Sequence, residues 1–139
     1  MNLGWIILSL LSAGFAALVA IFGKIGLQGL DTTLATTVRA AIMAAFLIAV
    51  SFALGKINIA GLPHGRALLF IVLSGIAGAL SWLAMFSALK IGPAPGVAAL
   101  DRLSVVFVLI FSILFLGTAF TWKAAVGACL IVLGAILML

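Results

Sequence analysis

ALLFIVLSGIAGALSWLAMFSAL, residues 67–89, runs for 23 residues without a charged side chain. As a helix rising 1.5 Å per residue it would reach about 35 Å, enough to cross the ~30 Å hydrocarbon core of a bilayer. Four further segments follow the same pattern. Residues 3–22 are uncharged, 34–54 hold only Arg39, and 97–116 hold Asp101 and Arg102. The last, 121–139, has a shorter apolar core over 124–139. A soluble domain of 139 residues has no interior able to bury five such stretches. The sequence therefore predicts an all-α, polytopic membrane protein with five transmembrane helices in one domain, solvated by the lipid bilayer. Helices are favoured over a transmembrane barrel, whose strands alternate apolar and polar residues over about ten positions.

Composition agrees with this reading. Hydrophobic residues make up 68% of the chain and charged residues 6%, against about 25% charged in ordinary soluble domains. The seven basic residues stand singly, mostly at expected helix ends, where Lys and Arg reach headgroups. They form no clustered patch, so the net charge of +5 does not indicate a nucleic-acid partner. Residues 3–22 lack a basic leader and are too apolar for too long to be a signal peptide, and are expected to remain as a helix. Cys129 is the single cysteine and His64 the single histidine. Neither a metal site nor an internal disulfide follows from them. Cys129 is expected to be buried, and His64 to lie exposed in the loop 55–66.

Five spans place the termini on opposite sides of the membrane. Lys56, Arg66 and Lys123 lie on the N-terminal side; Lys24 and Lys90 lie on the other, with Arg39 and Arg102 just inside helix starts there. Loop Lys/Arg bias normally fixes orientation, and here it is nearly absent. Insertion in both orientations, and hence an antiparallel homodimer, is one expectation; a single orientation with a weak signal is the other.

The charges at membrane depth carry the functional signal. Arg39 lies about 8 Å beyond residue 34 and Asp101 about 6 Å beyond residue 97, both measured from the same side. Such groups are costly in hydrocarbon and commonly functional. A static ion pair, a snorkelling Arg39, or the gate of a polar pathway are the alternatives. Small and polar stripes accompany them: Trp5, Ser9 and Ser12 on the first helix; Ser74, Gly78, Ser81 and Met85 beside Trp82 on the third; Asp101, Ser104, Val108 and Ser112 on the fourth. These serve helix packing or line a cavity. Gly127 and Gly134, seven apart, form a flat strip for a helix of the same subunit or of a second copy. No catalytic set is visible, so an enzyme is not expected, nor is a cofactor.

The stretch Ala98-Ala99-Leu100-Asp101-Arg102-Leu103-Ser104-Val105-Val106-Phe107, followed by Ile113-Leu114-Phe115-Leu116-Gly117, resembles the fourth-helix signature of EamA-type proteins of the drug/metabolite transporter superfamily. Leu80-Ser81-Trp82 with Ala88-Leu89-Lys90-Ile91-Gly92 is similar to that family's third helix and its exit. Thr36-Thr37-Val38-Arg39 resembles its second-helix arginine element, and Gly127 with Gly134 its last-helix glycine repeat. The resemblance covers essentially the whole chain. It implies one EamA-like repeat, half of a ten-helix transporter, pairing with an inverted copy in a bacterial or archaeal inner membrane. It further implies transport of a small metabolite or amino-acid-like solute by alternating access. Ser81, Trp82, Met85, Asp101 and Ser104 would line the path, with Trp5 and Arg39 contributing. A lipid or lipid-linked-sugar flippase, a non-transporting assembly subunit and a channel are the alternative functions. Two departures stand out: Thr118 replaces a glutamate frequent in the family, and the first helix lacks the acid on which small multidrug resistance relatives depend.

Overall fold

The computed structural model describes residues 3–57, 61 and 64–139, and these residues contain helices and no strand. The helices are α1 (Gly4–Gly26), α2 (Thr32–Ala53), α3 (Arg66–Ile91), α4 (Ala94–Asp101), α5 (Ser104–Leu116) and α6 (Trp122–Leu137). Together α4 and α5 occupy one span, Ala94–Leu116, so the described residues hold five apolar spans. Four of them are long and apolar enough to cross a membrane, and α6 is shorter. Its 16 residues reach only about 24 Å.

The chain forms two compact units, Ile25–Lys90 and Met1–Lys24 with Ile91–Leu139. In the first, Asp31 caps α2: its Oδ1 accepts the Leu34 N–H at 2.9 Å, as its position before Thr32-Thr33 predicts. The Thr36 and Thr37 hydroxyls donate to the carbonyls of Thr32 and Thr33, four residues back, at 2.8 Å each. They are thus satisfied inside the helix. Gly55 ends α2 with φ of 62°, and the Lys56 N–H reaches back to the Ser51 carbonyl at 2.9 Å. That left-handed cap is cheap only for glycine. The Lys90 ammonium donates to the Leu30 carbonyl at 2.8 Å, tying the end of α3 to the α1–α2 loop. Leu27, Thr36, Phe86 and Leu89 are buried.

The second unit differs from expectation at the fourth span. Residues 92–96 predict a break with a helix from 97, yet α4 starts at Ala94 with Pro95 inside its first turn. Amide groups there have no intrahelical acceptor, so the missing N–H of proline costs nothing. The expected continuous helix 97–116 is also interrupted. The Arg102 N–H is shared between the carbonyls of Ala98 and Ala99, at 3.3 and 3.2 Å. Leu103, Val105 and Val106 then bond three residues back rather than four. This tightened turn, of 3₁₀ type, separates α4 from α5.

Small residues set the packing of α6. It meets α4 and α5; its buried positions are Ala128 and Ala135, and those of α4 are Gly96 and Ala99. A Cβ on Gly96 would sit 3.6 Å from the Met138 carbonyl. In α1, Ala20 is buried, and the Lys24 ammonium donates to the Gly92 carbonyl at 2.8 Å. Cys129 is exposed, against the expectation of burial. It follows the buried Ala128 on α6 yet is itself exposed, where its apolar thiol suits a lipid surface. Large apolar side chains are exposed throughout, Phe15 at 66% and Phe115 at 80% among them. Water would reject such a surface and lipid favours it.

Candidate functional site

Arg39 sits seven residues into α2, about 10 Å along the helix from its start. Trp82 and Phe86 lie on α3, one turn apart. The Arg39 guanidinium carbon stands 3.5 Å from the centroid of the Trp82 ring and 5.3 Å from that of Phe86. The two rings meet edge to face, with centroids 5.7 Å apart and planes at 87°. Phe86 is buried, while Arg39 and Trp82 are half-buried. Lys90, two turns beyond Trp82, fixes the same end of α3 through Leu30. The cap at Asp31 and the tether at Lys90 thus register two helices so that a charge on one faces rings on the other.

Magnitudes explain why the chain tolerates this charge. Arginine at the centre of a membrane helix costs about 2.5–3.5 kcal/mol on insertion scales. A desolvated cation–π contact returns about 2 kcal/mol. The aromatic pair therefore offsets much of the cost. It does so through the face of the guanidinium rather than through its N–H edge. Within Ile25–Lys90, among the described residues, the Arg39 guanidinium makes no hydrogen bond and no ion pair.

The remaining predicted residues distribute as follows. Ser81 is exposed and Met85 half-buried on α3, flanking Trp82. Asp101 and Ser104 bound the tightened turn between α4 and α5, Asp101 half-buried and Ser104 exposed. Trp5 is 66% exposed on α1, and its carbonyl accepts the Ser9 hydroxyl at 2.7 Å. Gly127 is half-buried and Gly134 exposed, and a Cβ at either would meet nothing within 4 Å. An apolar groove of about 450 Å³ runs along α1, lined by Ile7, Leu10, Leu11, Gly14, Phe15 and Leu18. None of the predicted pathway residues line it. The described residues hold no group of three or more metal-ligating side chains. Sequence reasoning missed Phe86, although its spacing of four from Trp82 marks a neighbouring pair on one helix face.

Residues 3–139 match the model of the EamA-like transporter family. The chain belongs to the EamA-like transporter family. A Sinorhizobium sp. protein named "Uncharacterized transporter in cobO 3'region" is 41% identical over 138 residues, covering 99% of this chain and 98% of that protein. No solved structure matches. The resemblance carried by the third and fourth helices is thereby confirmed at the level of family. This EamA-like chain is a multi-pass membrane protein and a transporter in general character. In it, the aromatic-stacked Arg39 and the interrupted span at Asp101 bring charged side chains into apolar helices.

Proposed function

We propose that the protein moves a small metabolite or amino-acid-like solute across a bacterial or archaeal inner membrane by alternating access, as an antiparallel homodimer. The observation that carries this reading is the turn at 101–104, which interrupts an apolar span at its only acid. Broken helices at membrane depth persist where they line a polar path or serve as a hinge. Asp101 and Ser104 supply polar groups at that break, and Trp82, Met85 and Trp5 supply apolar contact. Arg39 and Ser81 complete the polar lining. Pairing with an inverted copy would build the two-repeat arrangement on which rocking transport depends. The open faces at Gly127 and Gly134 suit such a contact, since small residues let helices approach closely. A stretch of backbone with weakened hydrogen bonding also offers a place for the span to bend.

The test uses liposomes loaded with an isotope-labelled extract of small metabolites. Wild-type protein should release a few solutes far faster than protein-free vesicles do, as read by mass spectrometry. Asp101→Asn, folded normally by circular dichroism, should release them at no more than about a tenth of that rate, as is usual for loss of an essential ionisable group. Release of nothing selectively, or large unitary currents, would defeat the reading; currents would favour a channel.

A further inference from the structure

We infer that Arg39 is an oxyanion-recognition group, so that the transported molecule carries a carboxylate or phosphate; this rests on the transport reading above. The argument starts from guanidinium geometry. The group is flat, permanently charged, and holds five N–H donors in its plane. In this chain one face lies 3.5 Å from the centroid of Trp82, and the buried Phe86 ring stands 5.3 Å away. Rings can hold the face of the cation, but they offer nothing to in-plane donors. A snorkelling arginine would extend freely toward headgroups; this one is stacked, which fixes its plane and so aims its fork.

Charge supply points the same way. The chain contains only two acids, Asp31 and Asp101. Asp31 belongs to the same unit as Arg39, and its carboxylate is engaged at the α2 cap with the Leu34 N–H. The nearby end of α3 carries the cation Lys90, held by the Leu30 carbonyl, and no acid. A donor fork held rigid against two rings matches a carboxylate or phosphate, which accepts two parallel N–H bonds. The Trp82 ring beside it offers apolar contact to the body of the same ligand. The oxyanion has two sources, a dissolved organic acid or the phosphate of a lipid headgroup.

The experiment uses the full chain in phosphatidylcholine nanodiscs, titrated with benzoate, phenyl phosphate and the neutral probe benzyl alcohol, following tryptophan emission. Wild-type protein should show saturable changes with both anions. Arg39→Gln should weaken anion binding by about tenfold to a hundredfold, the usual range for losing a charge-assisted hydrogen bond. The same variant should leave any benzyl alcohol response unchanged. Arg39→Lys should fall between, since it keeps the charge and loses the fork. Trp82→Phe should retain binding within a few-fold while losing most of the emission change, which places the ligand beside that ring. Replacing part of the lipid with phosphatidylglycerol separates the sources. Competition with benzoate that needs Arg39 assigns the site to a headgroup; unchanged benzoate affinity assigns it to a dissolved acid.

Equal anion affinity in wild type and Arg39→Gln would overturn the inference. So would the lack of an anion response in wild type, and a response gained only in Asp101→Asn would identify the chain's own carboxylate as the occupant. Binding is read without flux, so the two readings fail separately. Vesicles that release nothing while anions still bind would sink transport alone. Selective release of neutral or cationic solutes, untouched by Arg39→Gln, would sink the oxyanion site alone.

Discussion

Replacing Trp82 by leucine keeps an apolar side chain on α3 and removes the ring against which Arg39 lies. The contact at 3.5 Å is worth about 1–2 kcal/mol for a half-buried cation. The edge-to-face pairing with Phe86 at 5.7 Å adds about 0.5–1.5 kcal/mol. Trp82→Leu should therefore destabilise by about 1.5–3.5 kcal/mol. Arg39→Leu behaves differently. It loses the same cation–π contact, but it also removes the insertion cost of about 2.5–3.5 kcal/mol. Its net effect should be stabilising, by about 0.5–2.5 kcal/mol. The double variant closes a cycle whose coupling term should be about 1–2 kcal/mol. Reversible unfolding in mixed micelles, followed by far-ultraviolet circular dichroism, measures all four proteins. If the two substitutions add to within about 0.5 kcal/mol, as independent sites do, Arg39 and Trp82 are not energetically joined and the argument from stacking is refuted.

Three other substitutions test the local structure. Asp31→Ala removes the oxygen that accepts the Leu34 N–H and should cost about 1 kcal/mol in the same unfolding assay. Gly117→Ala forces a side chain onto a residue with φ of 62° and should cost about 1–2 kcal/mol, whereas the helical Gly14→Ala should not. Gly134→Ala places a Cβ where, among the described residues outside its own helix backbone, nothing lies within 4 Å. It should stabilise the isolated fold by about 0.5–1 kcal/mol through helix propensity, while weakening association of two copies as measured by energy transfer between labelled chains.

The large features were legible because lipid leaves a strong mark on sequence. Five apolar runs, the Asp31 cap and the glycine ending α2 each follow from one physical rule applied locally. The interruption at 101–104 was not legible. Leu100, Asp101, Arg102 and Leu103 include neither glycine nor proline, so nothing in the local chemistry marks a break there. Residues 92–96 misled in the opposite sense, since two prolines suggest a later start than Ala94. Proline is unwelcome inside a helix and acceptable in its first turn, and sequence alone does not show where that turn begins. On α6 the strip formed by Gly127 and Gly134 was visible, but the positions buried within the chain are Ala128 and Ala135. Periodicity gives a face and leaves its rotation open. The burial expected for Cys129 failed for the same reason: an apolar residue in a membrane helix faces lipid as readily as protein. Of the candidate site, Arg39 and Trp82 were recognised singly, and their juxtaposition needed the register between α2 and α3.

The claim of oppositely inserted copies meets its most direct test in the orientation of the chain. His64→Cys and Gln28→Cys, each in a Cys129→Ala background, place single thiols in exposed loops at opposite ends of the spans. A membrane-impermeant maleimide is applied to right-side-out vesicles, and the labelled fraction is counted before and after the membrane is opened. Nearly balanced loop charges predict that about half of the copies label at each position in sealed vesicles. Complete labelling at one position with none at the other would show a single orientation and contradict the antiparallel pair.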